Sequence, residues 1–252
     1  MSLQVQVGEQ ILAQEQVVPL LAQYQLLPRL VQEIIIDQAI AATPNLACTQ
    51  EEIQGAINQF AQQQQFKSEA ELKAWLQNQG LQPEQLPAIA SRPLLIEKFK
   101  QQRWGEDNLE SYFVDRKSQL DRIVYSLIRT SDSGIAQELY FQISEGESTF
   151  TKLSQQYSEG PEAQTGGLVG PVEMSVPHPG IAKLLTTARP GEIKPPVKIG
   201  EWFVLLRLEK SIPAKLDEAM KQRLIHEQFE LWLQKQLQET VSFQRKELPE
   251  KQ

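Results

Sequence analysis

Few side chains in this chain have the chemistry to make or break a bond. Its 252 residues hold one cysteine and two histidines. Cys48 follows Leu46 and Ala47, a setting that predicts a small buried thiol rather than a nucleophile. His178 and His226 stand far apart, and neither has a second His or a Cys at ligand spacing, so no metal centre is expected. His178 lies between Pro177 and Pro179, which predicts an exposed loop; a proton donor beside a pocket is the other use of such a residue. Ser126 has no identifiable base near it and reads as a small strand filler before a nucleophile. The glycine turn through Gly160, Gly166, Gly167 and Gly170 lacks the Gly-Lys-Ser/Thr and Gly-x-Gly-x-x-Gly spacings of phosphate loops, which argues against a nucleotide cofactor. Met174, Ile181 and Phe203 are core-type residues that line ligand pockets equally well.

Composition narrows the classes further. A formal charge of -7 gives no global attraction to nucleic acid or to anionic membrane surfaces. Hydrophobic residues at 40% and charged residues at 23% suit one or two ordinary cores. Residues 1–30 contain no Lys or Arg before Arg29 and are broken by Glu9, Glu15 and many glutamines, so neither a secretory signal nor a membrane span is expected. The expected compartment is cytoplasmic.

The elements that must position these residues fall into two patterns. The first 120 residues read as helices, with apolar residues at three-to-four spacing and three capping boxes: Thr49 with Glu52, Ser68 with Glu71, and Asp107 with Glu110. Gly80 ends one helix, Gln82-Pro83-Glu84 opens the next, and Pro93 marks a further boundary. Gln62 to Gln65 read as an exposed helix face. From Arg122 the order becomes strand (Ile123 to Ile128), two helical stripes (Ile135-Leu139-Ile143 and Phe150-Leu153-Tyr157), the glycine turn and a short apolar piece. A helix near Ile181 to Thr187 and strands at Ile193 to Ile199 and Trp202 to Leu208 follow, giving β-α-α-β-α-β-β, an α+β module. The last segment, Lys215 to Glu239, is helical and apolar around most of its circumference, so it is expected to pack among the N-terminal helices and leave the module as an insertion. His226 and its acidic neighbours read as a solvated face.

The stretch from Gln156-Tyr157-Ser158-Glu159, through Gly166-Gly167-Leu168-Val169-Gly170, to Arg189-Pro190-Gly191-Glu192-Ile193 and Pro196-Val197 resembles the parvulin family of peptidyl-prolyl cis-trans isomerases. The family pattern has a Ser near the end of the second helix, a Gly-Gly-x-Leu-Gly-like turn, a Leu-x-x-Gly-x-Ile-Ser-x-Pro-Val stretch and a last strand ending in Glu, here Glu201 to Glu209. The flanks, Phe66 to Leu86, Asn108 to Phe113 and the closing helix, are similar to the helical part of SurA- and PrsA-type foldases. The resemblance implies a helical chaperone domain over 1–119, a parvulin-like module over 120–209, and a C-terminal helix and tail over 210–252 that complete the helical domain.

It also implies a site. Carried over position by position, the family's first-strand His falls on Ser126, its Cys or Asp on Gly160, its Met or Leu on Pro177 with Met174 as a substitute, its pocket Phe on Ile181 and its last-strand His on Phe203. Both imidazoles are replaced, so an apolar pocket is expected to survive without its polar network, and no single residue is named as catalytic. The implied function is a foldase that binds unfolded or extended polypeptide containing X-Pro, needs no cofactor, and isomerises weakly. The competing expectation is a non-catalytic peptide-binding chaperone or scaffold whose working surface is the helical cradle. The sequence sets neither a client nor an oligomeric state.

Overall fold

A computed structural model describes residues 5–105 and 107–242, with the side chains of Gln10 and Asp107 excepted. The chain divides into two compact units, one made of 1–109 with 221–252 and the other of 110–220. The second unit is wider than the 120–209 stretch read from the sequence. Its flanks are tied together: the Asp121 carboxylate accepts from the Ala214 N–H at 2.8 Å, and the Asp121 carbonyl accepts from Met174 N–H at 2.9 Å.

The first unit opens on an antiparallel hairpin, β1 (Val5–Val7) and β2 (Gln10–Leu12), where helix had been expected. Val5-Gln6-Val7 alternates, and Gly8 takes the positive φ of 61° that the turn needs. Helices α1 (Gln14–Gln23), α2 (Leu27–Ala41), α3 (Gln50–Gln63), α4 (Glu69–Asn78) and α5 (Leu86–Trp104) follow, and α6 (Asp107–Leu120) leads into the second unit. The Thr49–Glu52 box forms in full, Glu52 N–H donating to Thr49 Oγ1 at 3.2 Å and Thr49 N–H to Glu52 Oε2 at 2.7 Å. Ser68 caps α4, but the Glu71 carboxylate reaches past it to the Lys67 N–H at 2.7 Å. The cap side chain of the Asp107–Glu110 box lies outside the described residues. Pro93 is no boundary: α5 runs through it, losing one backbone donor, because Ala90 and Phe99 on either side are buried and hold the helix in place. Cys48 is half-buried, since it lies in the irregular segment before α3 and not in a packed element.

The second unit has the expected element order: β3 (Arg122–Thr130), α7 (Ser133–Ser144), α8 (Phe150–Tyr157), β4 (Leu168–Glu173), α9 (Pro179–Thr186), β5 (Ile193–Ile199) and β6 (Trp202–Ile212). The strands form one antiparallel sheet in the order β4-β3-β6-β5. Side chains alternate across it. Tyr125 and Leu127 of β3 and Val204, Leu206 and Leu208 of β6 pack on one face with Ile181 and Leu185 of α9. Ile128 and Leu205 pack on the other with Ala136 and Leu139 of α7 and Phe150 and Leu153 of α8. The glycine turn feeds β4 close under β3: a Cβ on Gly170, at φ 109°, would meet the Ile123 carbonyl oxygen at 2.5 Å.

The chain then returns to the first unit through α10 (Glu218–Thr240), whose Phe229 and Leu233 join Ile35, Ile36 and Ile40 of α2 and Phe99 of α5 in one core. Both ends of the chain therefore build the same core. Trp104 and Trp232 edge it, their rings 5.8 Å apart. No helix among the described residues is long and apolar enough to cross a membrane.

Candidate functional site

The first turn of α9 stands over the sheet beside a cleft of about 440 Å³. Its floor is Tyr125 and Leu127 of β3 with Val204 of β6; Ile181 forms a wall, and Ile199, Glu201 and Trp202 form a rim where β5 turns into β6. His178 and Arg129 close the ends. The lining is mostly apolar with a few polar groups converging on it, as expected of a small ligand site.

Local structure fixes each polar group. His178 caps α9, its Nδ1 accepting from the Gly180 N–H at 3.1 Å, so the Nε2 position carries the proton of the neutral ring. Arg129 is pinned by Glu162, Nε to Oε1 at 2.8 Å and Nη2 to Oε2 at 2.7 Å. Ser158 Oγ donates to the same carboxylate at 2.7 Å and accepts the Arg129 N–H at 3.1 Å. Burial of Glu162 works to raise its carboxyl, but the hydrogen bonds from Arg129 and Ser158 and the guanidinium charge outweigh it and hold the group below the usual carboxylate range. Below this pair, Glu159 accepts from Ser131 N–H at 2.7 Å and Thr130 Oγ1 at 2.9 Å, which lowers its carboxyl as well.

Of the residues expected from the sequence, the cleft takes only Ile181 and the neighbouring His178, which is both exposed and part of the lining. Ser126 lies on the opposite face of the sheet, buried, its Oγ donating to Glu209 Oε1 at 2.5 Å. Phe203 also faces the α7–α8 side, with Lys198 Nζ 5.7 Å from its ring centre. Gly160 has no side chain to offer, and a Cβ there would fall 2.3 Å from Arg129 Nε: the ion pair fills that space. Pro177 is buried beside His178 outside the lining, and Met174 packs against the α9-side core, also outside it. The sequence reading missed Tyr125, Leu127, Arg129, Trp202 and Val204. Each is an odd-even neighbour of a residue it named or of another on the strand, and a slip of one residue turns a strand's side chains to the other face.

Residues 129–210 match the family model of the rotamase PPIC-type PPIase domain. The chain carries a parvulin-type PPIase domain. No curated protein matches the chain. Among solved structures, the peptidylprolyl isomerase PrsA of Bacillus cereus shares 15% identity over 96% of this chain and 93% of its own, with a TM-score of 0.50. PrsA of Bacillus anthracis shares 20% over 86% and 100%, with a TM-score of 0.45. The B. cereus likeness is one of fold. In this chain the cleft of the PPIase domain lies on the α9 face of its sheet.

Proposed function

We propose that this protein is a foldase in which the PPIase domain engages X-Pro segments of extended polypeptide and the helical unit holds the rest of the client. Rotation about an X-Pro bond removes amide resonance across a barrier of roughly 20 kcal/mol, so a catalyst needs no covalent step. It needs an apolar seat for the pyrrolidine ring and surroundings that favour the twisted amide over the planar one. The observation that carries this reading is the cleft itself, with Leu127, Ile181 and Val204 offering that seat and Trp202 at its rim. Exposed Val7, Ile11, Val18, Tyr24 and Leu26 in the helical unit support client holding, since apolar surface of this kind is the feature that unfolded chains share.

Catalysis is proposed to be weak. The cleft face of β3 and β6 presents Tyr125, Leu127, Arg129, Trp202 and Val204, none of them an imidazole, and the Arg129 charge is spent on Glu162. The same observation favours the second reading, a docking platform without turnover. Exchange NMR on a panel of Xaa-Pro peptides separates the two. Faster cis-trans exchange with shifts at Tyr125, Ile181 and Trp202 supports the foldase; shifts without faster exchange support the platform; no shifts at the cleft would remove both.

A further inference from the structure

On the floor of the cleft, next to apolar Leu127 on the same face of β3, stands a phenol. Tyr125 is only 5% exposed and belongs to the core that α9 closes, yet it lines the cleft. Among the described residues its hydroxyl has no hydrogen-bond partner, and it is not one of the fully enclosed unpaired side-chain atoms, which are Ser154 Oγ and Gln228 Nε2. The oxygen therefore opens into the cleft. Open to the cleft, the hydroxyl makes no bond that holds the fold together, and phenylalanine would fill the same ring volume. The fold has no use for the oxygen; a ligand does.

Burial pushes the phenol above its ordinary value, with the Arg129 charge opposing and the Glu162 charge adding, so at neutral pH the group is a donor with its proton in place. The geometry points to Tyr125 Oη as the floor's hydrogen-bond donor to the nitrogen of a twisting X-Pro amide, a catalytic residue on β3, whose cleft face carries no imidazole. The choice of nitrogen follows from the electronics of rotation. Planar amide nitrogen shares its lone pair with the carbonyl and accepts no hydrogen bond; once twisted, the pair is localised and accepts one. A donor to the carbonyl oxygen would do the reverse, holding the planar state more tightly and slowing rotation.

This inference rests on the prolyl-isomerase reading, and its test keeps the two apart. Tyr125→Phe and Tyr125→His are compared with the unaltered full chain on one Xaa-Pro peptide, exchange NMR giving the bound-state isomerisation rate and titration giving Kd. We expect the bound-state rate to fall about three- to tenfold in Tyr125→Phe. Kd should stay within about twofold and the melting temperature should be no lower, because the ring remains and only the unpaired oxygen has gone. Tyr125→His, which restores an N–H donor, should recover part of the rate. An equal or faster bound-state rate in Tyr125→Phe overturns the assignment, as does a loss confined to Kd. An unaltered protein that binds the peptide without speeding it overturns the role of Tyr125 while leaving the platform; one that does not bind it retires the isomerase reading and this inference with it.

Discussion

At the scale of single residues, the charged end of the cleft is set by one buried carboxylate. Glu162 has 3% of its side chain exposed, and its partner Arg129 has 31%. Because the folded carboxyl sits below its unfolded value, the pair contributes stability that is complete above the ordinary carboxylate range. That stability is lost as pH falls through the depressed folded value. Glu162→Gln should lower the stability of the PPIase domain at neutral pH by about 1 to 3 kcal/mol, the partial exposure of Arg129 keeping the figure modest. It should also flatten the acid limb of a melting-temperature profile. An unchanged acid limb in the variant would show that Glu162 is not the group responsible.

At the scale of elements, caps and breakers have effects that can be measured one at a time. Thr49→Ala removes the acceptor for Glu52 N–H at the start of α3 and should cost about 1 kcal/mol in denaturant unfolding. Pro93→Ala returns a backbone donor to the interior of α5 and should stabilise the helical unit by about 1 to 2 kcal/mol, the gain being trimmed by a freer unfolded chain. Gly170→Ala would set a methyl group 2.5 Å from the Ile123 carbonyl at a φ of 109°, and a loss of about 2 kcal/mol or more is expected. These three outcomes also mark how far local sequence signals reach. Thr49 and the glycine turn acted as their residue types predicted, whereas Pro93 did not end its helix, because burial of Ala90 and Phe99 overrode the local preference.

At the scale of the whole molecule, the two units differ in how they can be cut. Residues 110–220 contain both layers of their own core, so a fragment of that span should fold and melt cooperatively. Residues 1–109 alone should not, because Phe229 and Leu233 of α10 are missing from the cluster that Ile35, Ile36 and Phe99 build. Circular dichroism melts of the two fragments check both expectations. A cooperative 1–109 fragment would show that α10 is dispensable to that core.

The sequence by itself determined the element order of the second unit, the α+β class and the parvulin-type match, because glycine turns, strand periodicity and capping residues act over a few neighbours. It also carried the helical closing segment, whose apolar circumference demanded partners. Only the tertiary structure decided which face of β3 and β6 lines the cleft. Ser126 and Tyr125 are one peptide apart, and nothing local says which of them looks toward α9; that choice is made by the register Leu127↔Leu206 and Arg129↔Val204, and by α9 covering one face while α7 and α8 cover the other. The occupation of the Gly160 space by Arg129 and Glu162 belongs to the same class, since it joins side chains 33 positions apart that meet only once the sheet and its flanking turn are assembled.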